Sequence, residues 1–115
     1  MGIDAFAALA DPTRRQIIEL LANRGQMPAT DIADQFSISA PAISQHLKIL
    51  REARVLAMEK RKQQRIYQIN PQAMSDVAGW ARQMSERWQA RYRVLDEILE
   101  VEKQKLLKKG NGGHD

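Results

Sequence analysis

Few residues in this 115-residue chain are of types that could hold a metal or move a proton, and they do not gather. There are two histidines, His46 and His114, and no cysteine. A metal site at His46 needs companion ligands, and His114 lies in the glycine-rich end of the chain. Asp96 and Glu100 stand four apart, but two carboxylates without a nitrogen or sulfur donor are more often a solvated helix face. As a general base, His46 would need a nucleophile and an orienting acid, and the sequence offers no such set. The reading is no catalytic residues, no metal ligands and no cofactor. His46 is left with packing and a phosphate hydrogen bond.

Chemistry of a different kind is concentrated around His46. Between Pro41 and Arg65 stand Lys48, Arg51, Arg54, Lys60, Arg61, Lys62 and Arg65, opposed only by Glu52 and Glu59. That segment carries +5 of a total +4, which leaves the rest of the chain at −1. A basic excess confined to one helix and the strands after it fits a polyanion footprint better than a solvated face. In "SAPAISQHLKIL", residues 39–50, Leu47 and Leu50 fall within about 40° of Ile43 on a helical wheel. Pro41, Ser44, Gln45, Lys48 and Glu52 lie opposite. Such a face is unobstructed and can enter a major groove, Gln45 and Ser44 meeting base edges and Lys48 a phosphate.

Positioning these residues takes a small set of elements. A first short helix is expected over Asp4–Ala10, with Ile3, Phe6 and Leu9 on one side. Asp11 as N-cap and Pro12 at the first helical position open a second, with Ile17, Leu20 and Leu21 as its stripe and Gly25 past its end. A third covers Ala29–Phe36, facing Ile32, Ala33 and Phe36 inward. Ser39 caps the fourth, where Pro41 in the first turn has no helical hydrogen bond to lose. After Ala53 the period changes, and residues 55–61 and 65–70 read as a hairpin around Lys62-Gln63-Gln64. Lacking Asn-Gly or Asp-Gly, its tip is expected to be longer than a two-residue loop. Arg14 and Arg15 read as a surface pair, with phosphate contact as the other reading.

Asn70-Pro71 starts a final helix expected to reach Lys109, about 57 Å long and far beyond the width of so small a domain. Met74, Val77, Ala81, Met84, Trp88, Tyr92, Leu95 and Leu99 follow one another in threes and fours along it. A seam of that period on an over-long helix calls for a partner helix, hence a homodimer. The alternative is a bent helix folded back on its own domain. Trp80, Met84, Trp88 and Tyr92 could also line a small-molecule effector pocket between subunits, although dimer core accounts for their spacing. The division expected is 1–70 as the binding core, 71–109 as the dimerisation helix and 110–115 as a flexible tail.

At this length the chain holds about one domain. No apolar run approaches the ~20 residues of a membrane span. The N-terminus lacks a signal peptide's charged and apolar regions, and Phe6 stands where a myristoylation signal has Ser or Thr. A cytoplasmic protein without a membrane partner is expected.

"FAALADPTRRQIIELL", "DIADQFSISAPAISQHLKILREARVL" and "KRKQQRIYQI" together resemble the arsenical-resistance-repressor (ArsR) family of winged helix-turn-helix regulators, and its metal-independent branch in particular. The resemblance implies a mainly α fold with a small β-hairpin, dimerising through its first and last helices, which adds Phe6 to the seam. It implies a transcriptional repressor bound to double-stranded operator DNA, an imperfect palindrome. The alternatives are a repressor relieved by a small molecule or metal at the dimer interface, and a protein-interaction adaptor that has lost DNA binding, against which the basic segment 41–65 argues. By position, the resemblance makes Ser39, Ala40, Pro41, Ser44, Gln45 and His46 the DNA-proximal residues, with Arg61, Lys62 and Arg65 on the wing. Three departures stand out. Many relatives have Arg where Gln45 stands, and Gln pairs naturally with adenine where Arg pairs with guanine. The wing lacks the usual glycine. The cysteine pair of the metal-sensing members, or the Asp and His ligands of their last helix, is missing.

Overall fold

Local cap chemistry sets where the helices begin in the computed structural model, which describes residues 4–112 of the chain. Helix α1 (Ala5–Ala8) starts at Asp4, whose carboxylate accepts a hydrogen bond from the Ala7 N–H at 2.8 Å. Helix α2 (Pro12–Arg24) starts at Asp11 in the same way, the Arg14 N–H donating to it at 3.0 Å. Because Asp11 must be extended to serve as this cap, α1 ends at Ala8 and does not reach the expected Ala10. Gly25 closes α2 at φ +85, its N–H donating to the Leu21 carbonyl at 2.7 Å. Helix α3 (Ala29–Asp34) is two residues shorter than expected. Helix α4 (Ala40–Glu52) is capped by Ser39, whose Oγ accepts from the Ala42 N–H at 3.2 Å, with Pro41 in its first turn.

The end of α4 is a turn that usually takes glycine. The Arg54 N–H donates to the Arg51 carbonyl and the Val55 N–H to the Leu50 carbonyl, with Arg54 at φ +63. This is the Schellman arrangement, in which a left-handed residue closes the last helical carbonyls. Asn70 braces it: its side-chain amide donates to the Arg54 carbonyl at 2.8 Å, and its Oδ1 accepts from the Gln72 N–H at 3.2 Å. One side chain thus joins the end of α4 to the start of α5 (Pro71–Gly112). That helix continues three residues past the expected Lys109, since each glycine costs a helix only about 1 kcal/mol relative to alanine.

The expected hairpin is part of a three-stranded antiparallel sheet. Strands β1 (Gln26–Pro28), β2 (Leu56–Arg61) and β3 (Gln64–Ile69) lie in the order β1-β3-β2. β1 pairs Met27 with Tyr67, and the Gln26 and Gln68 side chains bond at 2.9 Å. Three residues are too few to display an alternating period, so nothing in the local pattern announces β1. At the wing tip Arg61 pairs directly with Gln64, leaving a two-residue turn in place of the longer loop expected. Lys62 makes that turn at φ +56, a conformation that disfavours a residue with a Cβ.

The described chain forms two compact units divided between Ala78 and Gly79. In the first, Ile17, Leu21, Ile32, Ile43, Leu47, Leu50 and Val55 are essentially fully buried, each contributing about 1.5–3 kcal/mol by leaving water. Met74, placed on the seam by its spacing, packs against this core instead. Among the described residues, no polar or charged residue is buried. In the second unit α5 keeps Trp88, Tyr92, Leu95, Ile98 and Leu99 about half exposed. No helix among the described residues is long and apolar enough to cross a membrane.

Candidate nucleic-acid interface

The two faces of α4 have opposite surroundings. Ile43, Leu47 and Leu50 are at most 1 % exposed, whereas Ser39, Ala40, Pro41, Ser44, Gln45 and Lys48 are exposed. Pro41, Ser44, Gln45 and Lys48 line one side of a groove of about 890 Å³, and Arg65 and Tyr67 of β3 help line it as well. The groove is therefore lined by one hydroxyl and one amide side chain, Ser44 and Gln45, beside the cations Lys48, Arg51 and Arg65. The N-terminal end of α4 adds the positive end of the helix dipole.

The groove also takes in Arg51 and Glu52. Arg51, not among the residues expected on this face, follows Ser44 by seven and Lys48 by three, a spacing that could have placed it there. The structure does not bring every expected wing residue into the groove. Arg61 and Lys62 border a separate hollow at the hairpin tip with Gln63 and Gln64. Arg61 is paired with Glu59 at 3.0 Å, both well exposed, a contact worth little in water. Arg65 is the wing cation that joins the α4 face.

His46 stands at the rim between the two faces and is half-buried. Its Nδ1 is 3.4 Å from Nη1 of Arg14 and 3.9 Å from Oδ2 of Asp11. The guanidinium, which only donates, suits an accepting Nδ1, whereas the carboxylate suits a protonated one, so this ring nitrogen faces two neighbours of opposite demand. Arg14 is not the surface residue its position implied. Its Nε donates to the Ala8 carbonyl at 2.6 Å and its Nη2 to the Ala7 carbonyl at 3.3 Å. Arg15 likewise donates to the Leu9 carbonyl at 2.9 Å. Both arginines close the end of α1, a role hidden in the sequence because it depends on how α1 folds back on α2. Asp11 is held below the ordinary carboxylate range, first by the hydrogen bond from the Arg14 N–H and further by its attraction to His46 and Arg14, with partial desolvation acting the other way.

The expected dimer residues are described unit by unit. Phe6 is exposed and Val77 half-buried in the first; Ala81 is exposed and Met84 half-buried in the second. Trp88 and Tyr92 meet edge to face, ring centres 5.9 Å apart. Together with Arg91, Val94, Leu95 and Ile98 they border a shallow hollow of about 380 Å³. Among the described residues no three His, Cys, Asp or Glu side chains are grouped to hold a metal. His114 lies outside the described residues.

Comparison with known proteins agrees with this geometry. Residues 11–57, from the cap of α2 into β2, match the bacterial regulatory protein, arsR family. The chain is 43% identical over 77 residues to the transcriptional repressor SdpR of Bacillus subtilis, covering 67% of this chain and 84% of that one. It is 31% identical over 100 residues to the arsenical resistance operon repressor of Escherichia coli, covering 86% and 82%. Among solved structures, an ArsR-like transcriptional regulator from Rhodococcus sp. RHA1 superposes with a TM-score of 0.69 at 26% identity, over 81% of this chain and 87% of that one. These relatives are transcriptional regulators and not enzymes. The chain belongs to the ArsR family of DNA-binding, winged helix-turn-helix transcriptional regulators.

Proposed function

We propose that this regulator is a homodimeric repressor that occupies a palindromic operator in the cytoplasm and reads it with α4. The observation that carries the reading is the groove that Pro41, Ser44, Gln45 and Lys48 line together with Arg65. Gln45 is the base-reading residue, with Ser44 beside it. Ser39, Ala40 and Pro41 let the helix end approach closely, His46 stands at the rim, and Lys48, Arg61, Lys62 and Arg65 meet phosphates. The dimer reading is supported by the side chains that α5 leaves about half exposed at spacings of three and four, Trp88, Tyr92, Leu95 and Leu99 among them. Phe6, Val77, Ala81 and Met84 extend that seam. Two reading helices related by a two-fold axis then enter major grooves about 34 Å apart, one turn of DNA.

Repression in this reading is occupancy and involves no chemistry. Sensing through cysteine thiolates is outside the repertoire of a sequence without cysteine. The test is selection from a random duplex pool with the purified chain. An inverted repeat with half-sites about one helical turn apart is expected. Recovery of no preferred sequence, or binding indifferent to salt, rejects the reading, since each phosphate contact contributes a slope of about −0.9 in log affinity against log salt.

A further inference from the structure

The buried face of α4 fastens the helix to the core, but its rotation and tilt are also restrained at the rim, by the cluster of Asp11, Arg14 and His46. Arg14 directs three nitrogens at three acceptors on two other elements. Nε meets the carbonyl of Ala8, a residue with no exposed surface, Nη2 that of Ala7, and Nη1 the ring of His46. A buried carbonyl at a helix end needs a donor, and the planar fork supplies it without releasing its hold on α4. Asp11 anchors the base of the fork through the Arg14 N–H and lies 3.9 Å from His46. His46 directly follows Gln45 and directly precedes the fully buried Leu47.

We propose that Arg14 is a positioning residue for DNA recognition: through His46 it locks α1 and the start of α2 to the reading helix, so that the seat of α1 sets where Gln45 stands. The inference rests on α4 being the element that reads DNA. Helix α1 has only four residues, with Ala8 buried in the core and Ala5 packed against it, and the fork adds a directional polar tie from that helix to α4. A lysine keeps the charge of Arg14 but has one compact ammonium and cannot span all three acceptors. A glutamine at 46 keeps an acceptor oxygen; a leucine keeps bulk and loses it.

The experiment uses the full chain, the duplex selected from the random pool and a scrambled duplex of equal length at the same salt. Arg14→Lys is expected to lower affinity for the selected duplex about three- to thirtyfold while leaving the scrambled one unchanged, and His46→Leu, beside the DNA, to lower the selected one at least as far and the scrambled one by less. The double variant is expected to be no worse than the weaker single, and His46→Gln to recover part of what His46→Leu loses on the selected duplex. Equal losses on both duplexes, no loss on either, or additive effects in the double variant overturn the proposal. Amide exchange gives a readout independent of DNA: in Arg14→Lys, residues 5–8 and 40–46 should lose protection together. Loss at 5–8 alone reduces Arg14 to a helix cap and overturns the lock. A parent that prefers no sequence rejects the DNA reading, and the exchange result then still decides whether the lock exists. Should Arg14→Lys fail to fold, His46→Leu, which leaves the bonds from Arg14 to α1 in place, carries both measurements.

Discussion

Helix α4 and the part of α5 in the second unit carry apolar side chains at the same three-and-four spacing, yet their circumstances differ. Ile43, Leu47 and Leu50 are at most 1 % exposed, and each meets side chains from elsewhere in its own chain. Leu95, Ile98 and Leu99 stand 49%, 54% and 57% exposed on a helix with the same kind of period. Period therefore marks an apolar stripe without saying what covers it. What separates the two is the surrounding sequence. α4 is flanked closely by other apolar elements in a short stretch of chain, whereas the residues of α5 past Gly79 form a compact unit of their own.

The largest effect that tests this contrast is in the core. Leu47→Ala should cost about 2–5 kcal/mol of folding stability in urea denaturation, independent of protein concentration. Leu95→Ala removes the same atoms from the other stripe. If a partner helix covers it, its cost appears as a lower, more concentration-dependent melting temperature. A concentration-independent change within about 0.5 kcal/mol, typical of an open surface site, breaks the comparison and removes the seam.

Next in size is the polar face of α4. Gln45→Ala should weaken preferred sites by about 1–3 kcal/mol and flatten the base preference in a repeated selection, with folding stability unchanged. At the helix ends, Asp11→Ala should cost about 1 kcal/mol by removing the cap of α2. The Asp11 carboxyl is lowered from 3.8, so its stabilisation is complete above that value and disappears as pH falls through the lower folded-state one. Asp11→Asn keeps an acceptor for the Arg14 N–H and should remove this part of the acid dependence in a pH series of thermal melts. Smallest is Lys62→Ala, which should weaken all sequences alike and reduce the salt slope by about 0.9.

Much of the first unit was legible because its signals are local. Asp11-Pro12, Ser39 with Pro41, and Asn70-Pro71 each mark a helix start within three residues, and the caps stand where those residues put them. The outward set on α4 followed from one helical wheel. What escaped depends on contacts between distant segments or on unusual backbone. β1 owes its existence to β3, some forty residues later. Arg54 and Lys62 adopt positive φ without being glycine, so neither turn carried its usual marker. Arg14 could not be distinguished from a phosphate contact until α1 was seen folded against it. The Schellman turn at Arg54 is held by Asn70, a residue whose proximity to Arg54 is set by the hairpin between them.

The sheet has a bearing on how copies of this chain can meet. β1 is three residues long and ends in Pro28, which has no N–H to offer an incoming strand. At the other border, β2 ends in Glu59, Lys60 and Arg61, all exposed and charged. Short, proline-stopped and charged borders are how sheets resist edge-to-edge growth and the aggregation that follows from it. The strands of this chain are thus kept from acting as adhesive between copies.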